Sequence, residues 1–338
     1  MQIFNKILLV ITLFVLLPGC GLKKEVPIEG KTMGTTYHIK IVSGYFENVA
    51  ALKKDIEKRL ESIDKSMSTY RNDSEISKFN TLKRAGQKVY ISKDFYHVMT
   101  VAKKLYKLTN GAWDGTIKPI VDLWGFGSSE PKEVIPAKQK IKALLCPIGF
   151  HWIQIFDDHS LVKKKSDLSL DLASIAKGYA VDAVAALLTR GGIENYLIEI
   201  GGEIYASGRR KDGRPWKVGI NQPQKDAPFN LVYKAIPLHD MALATSGDYR
   251  NFFEIEGKRY SHVIDPRTGY PVHNGVVSVS IIANTCTFAD GLATAVMVLG
   301  PEKGLVLING LDSVEGLIVV REDEGTLRDY YSKGLKDL

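Results

Sequence analysis

Asp290 and Thr294 stand four residues apart in Thr287–Gly300 (TFADGLATAVMVLG), a segment that is otherwise apolar almost all the way round a helix. That spacing places a carboxylate and a hydroxyl on one helical face. A carboxylate taken out of water costs several kcal/mol unless something compensates it. A hard cation does so: Mg2+ takes oxygen ligands and often uses one or two carboxylates beside a substrate's phosphates. A second reading is equally open. Asp290 caps a helix that begins at Gly291, and Thr294 is a core hydroxyl bonded to the carbonyl four residues back.

Leu170–Asp182 (LDLASIAKGYAVD) buries Asp171, Ser174 and Lys177 in a similar apolar helix. Asp171 suits an N-cap. The same helix start, with Lys177-Gly178 one turn in, also suits a phosphate, because free N–H groups and the positive dipole end point outward there. Gly111–Asp122 (GAWDGTIKPIVD) is a glycine-bearing loop with an aromatic and an acid. Such a loop covers a flat ring system, or is a turn with Trp113 as a core plug. Met33-Gly34 precedes a strand, where Met is most often core. In Ser261–Gly269 (SHVIDPRTG), strand alternation puts Tyr260, His262 and Ile264 on one face before the Asp265-Pro266 turn. A histidine there serves as general base for a hydroxyl, or as a structural residue.

These positions need a scaffold. Apolar periodicity predicts helices over 49–66, 93–108, 136–145, 173–189, 287–299 and 302–309. Alternation and β-branched runs predict strands over 35–42, 152–156, 160–163, 196–200, 203–207, 216–220, 231–237, 242–246, 275–283 and 316–321, with a hairpin over 251–264. Helices and strands come in blocks, which predicts an α+β fold rather than a doubly wound sheet. No GxGxxG or P-loop follows a strand, no Cys/His cluster has zinc spacing, and no serine-hydrolase elbow is present.

Composition narrows the class further. Lys+Arg 45 against Asp+Glu 38 gives a net charge of +7, but the lysines are scattered and no nucleic-acid motif accompanies them. Lys6, the apolar run Ile7–Leu17 and then Leu17-Pro18-Gly19-Cys20 read as a bacterial lipoprotein signal, with residues 1–19 removed and Cys20 lipidated. The run is too short for a permanent span, which needs about twenty residues. Residues 20–30 then form a lipid-anchored linker and 31–338 the folded domain. No second apolar stretch is expected to cross a membrane. Only Cys146 and Cys286 remain as thiols, and sequence alone leaves their pairing open.

In order along the chain, TMGTTY (32–37), MSTYRNDSEISKFN (67–80), GAWDGT (111–116), DLASIAKGYAVD (171–182), EIGGEIYASG (199–208), WKVGINQP (216–223), ATSGDYRNFF (244–253), SHVIDPRTGYPV (261–272) and ADGLATAVMVLG (289–300) resemble the ApbE family of FAD:protein FMN transferases. The resemblance implies mixed, T-fold-related sheets with packed helices and a flavin site in a cleft between two lobes. It implies a Mg2+-dependent transfer of the FMN phosphoryl of FAD to a Ser or Thr hydroxyl of an acceptor protein, with AMP leaving. Acceptors in the family are typically subunits of membrane redox complexes, of the sodium-pumping NADH:quinone reductase (Nqr) or Rnf type. Such acceptors match a protein anchored on the periplasmic face.

Carried over by position, Met33, Tyr70, Ala112, Trp113, Asp114, Asp171, Lys177 and Ile264 line FAD. Ser174, Asp290 and Thr294 hold the metal, with the Ala293 carbonyl as a further ligand, and His262 is the base. The chain departs from many members with Lys31 for Gly and with Asp-Leu-Ala-Ser at 171–174 for Asp-Leu-Gly-Gly. Ser174 therefore ligates by side chain or backbone, and Lys177, where some relatives have an acid, meets phosphate, adenine or neither. Two rival readings use the same site: an FAD pyrophosphatase giving FMN and AMP, and a non-catalytic flavin-binding lipoprotein.

Overall fold

Eight strands pair antiparallel in the same order in which they occur along the chain, from Lys24–Thr32 and Thr35–Ser43 through Tyr196–Ile200, Glu203–Ser207, Met241–Gly247, Val276–Ala283 and Glu315–Arg321 to Leu327–Tyr331. The computed structural model describes residues 24–43, 48–127, 134–228, 231–249, 251–322 and 325–336. The lipoprotein signal and Cys20 lie outside the described residues.

Each face of this sheet has its own core. Ile39, Ile198, Ala244 and Ile281 face the helices Val49–Met67, Lys93–Leu108, Ala173–Arg190 and Cys286–Asn309. Ile204, Leu243, Ile282 and Leu317 face the hairpin of Trp216–Asn221 and Val232–Leu238. Residues one apart thus serve opposite cores, as a pleated strand requires. Val276–Ala283 is buried along its whole length, which explains its unbroken run of small and β-branched residues.

A third, smaller core joins Ile120, Trp124 and Ile141 to Phe253 and Ile264. It binds the segment after Gly111 to the hairpin of Phe252–Ile255 and Lys258–Ser261. The expected α+β class holds.

Several expectations are corrected. Residues 24–30, expected in a linker, belong to the edge strand Lys24–Thr32, which pairs along its full length with Thr35–Ser43. Its Pro27 and charges suit an edge and imitate a linker in composition. Strand pairing ends at Ser261, so His262 sits just beyond the hairpin, while Ile264 pairs separately with Pro271. Cys286–Asn309 is long and apolar enough to span a membrane, contrary to expectation. It is instead two core helices joined at Gly300, whose φ of 80° breaks the run before Pro301. Cys146 is exposed and Cys286 buried, and both are free thiols.

Candidate functional site

Two helices meet at Gly178. A Cβ added there would lie 2.4 Å from the Cys286 carbonyl oxygen and 2.9 Å from the Asp290 Cβ, so only glycine permits this approach. Its backbone N–H donates to Asp290 Oδ2 at 3.0 Å. The Asp290 helix begins at Cys286, which removes the capping reading of Asp290. Asp182, from the other helix, does the capping: it accepts from the backbone N–H groups of Cys286 and Thr287, both at 2.8 Å, and from the Thr287 hydroxyl. Asp290 is therefore free for another task while buried to 4% exposure.

Charge concentrates beside it. Lys177 Nζ lies 2.6 Å from Glu203 Oε1, with the two side chains 31% and 3% exposed. Glu203 Oε2 is buried with no hydrogen-bond partner among the described residues. Burial raises the Glu203 and Asp290 carboxyls, against the opposing charge of Lys177. Burial pulls Lys177 down, but the Glu203 and Asp290 charges outweigh it and hold the ammonium above its ordinary range. Glu203 was not among the expected site residues. Its signal was a glutamate opening an apolar strand directly after Gly201-Gly202, since a buried charge needs an opposite one nearby.

Hard oxygens complete the cluster. Thr294 Oγ1 is 3.0 Å from Ser246 Oγ, and Ser174 Oγ accepts from Trp113 Nε1 at 3.1 Å. Asp290, Ser174 and Thr294 line one cavity of about 420 Å³, together with Glu203 and Lys177. The Asp290 carboxylate and the two hydroxyls are the kind of oxygen donor that Mg2+ takes. Among the described residues no group of three or more His, Cys, Asp or Glu is placed to hold a metal ion, so a metal held here would take part of its ligand set from hydroxyls. Ala293 is fully buried and does not line this cavity.

The expected FAD residues divide. Tyr70, Ala112, Trp113, Asp114, Asp171 and Ile264 all line the cavity, Tyr70 as a 76% exposed ring at its mouth. Both Asp114 oxygens are occupied: Oδ1 accepts from the Thr116 N–H at 2.8 Å and hydroxyl at 2.7 Å, and Oδ2 from the Phe150 N–H at 3.1 Å. Its role is to fix the loop that carries Trp113. Asp171 Oδ1 accepts from the Ala173 N–H at 2.8 Å, one residue ahead of the helix's N-cap, Leu172. Met33, with a φ of 47° in the tight turn before Gly34, lines an adjoining cavity of about 1160 Å³ that shares Gly201, Thr245 and Gly247 with this one.

His262 lines the same cavity, its ring edge-on to Phe126, which packs on the smaller core. Its Nδ1 lies 3.0 Å from the Asn251 carbonyl oxygen, which only accepts, so Nδ1 carries the proton. Nε2 is left with a lone pair, the arrangement of a general base. Burial lowers the His262 pKa, and the Arg259 and Lys177 cations lower it further, against the Asn251 hydrogen bond.

A cavity lined by both a charged oxygen cluster and an imidazole with a free Nε2 lone pair has the make-up of a group-transfer site. Residues 33–318 match the model of the ApbE family, and the chain belongs to that family. The FAD:protein FMN transferase of Vibrio cholerae is 42% identical over 324 residues, which covers 95% of each protein. That of Haemophilus influenzae is 38% identical, over 89% of this chain and 88% of its own. The solved structure of flavin transferase ApbE from Vibrio cholerae superposes with a TM-score of 0.85 at 40% identity, over 94% of this chain and 99% of that one.

Proposed function

We propose that this protein is an FAD:protein FMN transferase that uses Mg2+ and releases AMP. The observation that carries the reading is the pairing, across one cavity, of an Nδ1-protonated His262 with the Asp290, Ser174 and Thr294 oxygens. FAD is the donor, and a Ser or Thr hydroxyl of an acceptor protein is the nucleophile. His262 Nε2 takes the hydroxyl proton as the acceptor Oγ–P bond forms and the bridging P–O bond of the pyrophosphate breaks. Asp290, Ser174 and Thr294 would hold the metal, whose charge neutralises the transferring phosphoryl group. Lys177 is a fixed cation beside this oxygen cluster, Tyr70 offers an exposed aromatic face to the flavin nucleotide, and the edge of the buried Trp113 lines the same cavity.

The sequence before Lys24 supports a lipid anchor at Cys20, holding the domain on the periplasmic face of a membrane. Flavin subunits of Nqr- or Rnf-type redox complexes, exposed on that side, are the acceptors we assign. The test incubates the protein with FAD, Mg2+ and the flavin-accepting domain of such a subunit, then weighs the acceptor. A mass gain of FMN less water is expected. AMP released without an adduct would make the enzyme a pyrophosphatase, and bound FAD without AMP would leave a binding protein.

A further inference from the structure

We propose that the acceptor protein docks as an added β-strand on the free edge of Met241–Gly247, at residues 244–247. The proposal rests on the transfer reading above. The strand's pairing with Glu203–Ser207 stops at Leu243 opposite Ile204, whereas its pairing with Val276–Ala283 continues through Gly247 opposite Ser278. Among the described residues, no strand pairs with the other edge of 244–247. The opening is about 13 Å long at roughly 3.3 Å per residue, enough for a short extended segment.

Hydrogen-bond parity fixes which groups face it. The Asp248 N–H donates to the Val277 carbonyl at 3.2 Å, so Ser246 and Ala244 also turn toward that neighbour. Thr245 and Gly247 therefore aim their N–H and C=O groups the opposite way, at the open edge. An extended peptide adding there gains main-chain hydrogen bonds, as in β-strand addition generally.

The edge also lies where the chemistry needs it. Gly201, Thr245 and Gly247 line both the catalytic cavity and the larger cavity beside it. An acceptor residue set opposite Ser246 would project its side chain on the Ser246 face, since paired residues share a face. That face carries Thr294, 3.0 Å from Ser246 Oγ. The acceptor hydroxyl would thus arrive at the metal oxygens and His262. Its two sequence neighbours would point the other way, into the larger cavity with Leu243, Ile204 and Ile220. Selection among acceptors would then depend on the residues flanking the hydroxyl.

The test compares Thr245→Pro with Thr245→Val. Both lose the hydroxyl contact with Ser280, but only proline loses the N–H on the open edge. The probe is the same flavin-accepting domain, with FAD affinity measured separately. Relative to Thr245→Val, Thr245→Pro should raise the KM for acceptor by up to about tenfold, the upper end for the loss of one net hydrogen bond. The FAD affinities of the two variants should agree within about twofold. An unchanged KM overturns the proposal. A fall in FAD affinity does so too, because the edge would then belong to the FAD site. Should Thr245→Pro not fold, Asn221→Trp fills the larger cavity from the separate hairpin and should give the same rise in KM; no rise overturns the proposal. Failure of the wild-type protein to modify any acceptor would instead strike the transfer reading, and the docking edge with it.

Discussion

Lys177 Nζ and Glu203 Oε1 lie 2.6 Å apart, and this one ammonium also answers the charge of Asp290. Two buried carboxylates sharing a single cation retain a proton above the ordinary carboxylate range, as a property of the pair rather than of either residue. At this pair the folded state then binds more protons than the unfolded one, so the pair's contribution to stability is greatest at low pH and declines as pH rises toward the raised folded pKa. Urea unfolding of metal-free protein at stepped pH should show this decline, and Glu203→Gln should flatten it. An unaltered slope in the variant would show that the proton resides elsewhere.

His262 should set the acid limb of activity. Its pKa is lowered by burial and by Arg259 and Lys177, so the imidazole is neutral at pH 7. Transfer should therefore be flat near neutrality and fall only below the ordinary histidine range. His262→Ala should retain FAD binding and lose transfer by roughly two to four orders of magnitude. A wild-type acid limb above pH 7, or normal transfer by the alanine variant, would remove His262 as base.

Gly178→Ala tests the helix contact that places Asp290. The new Cβ would be forced against the Cys286 carbonyl at 2.4 Å, and that atom is backbone. The helices must separate, costing about 3 kcal/mol, which is typical of overpacking at a tight contact. Thermal unfolding should report the loss, and FAD affinity should fall with it. Gly192→Ala, where no atom lies within 4 Å but φ is +76°, is the control for backbone strain alone.

What the sequence disclosed and what it withheld follow from range. Asp290 and Thr294 were legible because helical spacing is local, and so were Ser174 and Lys177. Glu203, Ser246 and Asn251 reach the site through strand register and hairpin docking, which no window of sequence contains. Asp114 looked like a ligand residue because its loop is at the site; its oxygens are consumed by Thr116 and Phe150, a contact across 36 positions in the second case. Lys24–Thr32 was missed because edge strands carry the proline and charges that also mark linkers.

Asp290→Asn separates the metal role from the structural one. Asn retains an oxygen to accept from the Gly178 N–H, so the helix contact measured at 3.0 Å has a replacement. It removes the only carboxylate among the proposed ligands, leaving the Ser174 and Thr294 hydroxyls, which are weak partners for a hard dication. It also relieves the competition for Lys177, so the metal-free variant should be at least as stable as wild type. Calorimetric titration with Mg2+ should show binding lost or weakened about a hundredfold, and turnover should fall at least as far. Mg2+ affinity and turnover both near wild type would remove Asp290 from the metal site. Lost stability with intact Mg2+ binding would make its role structural.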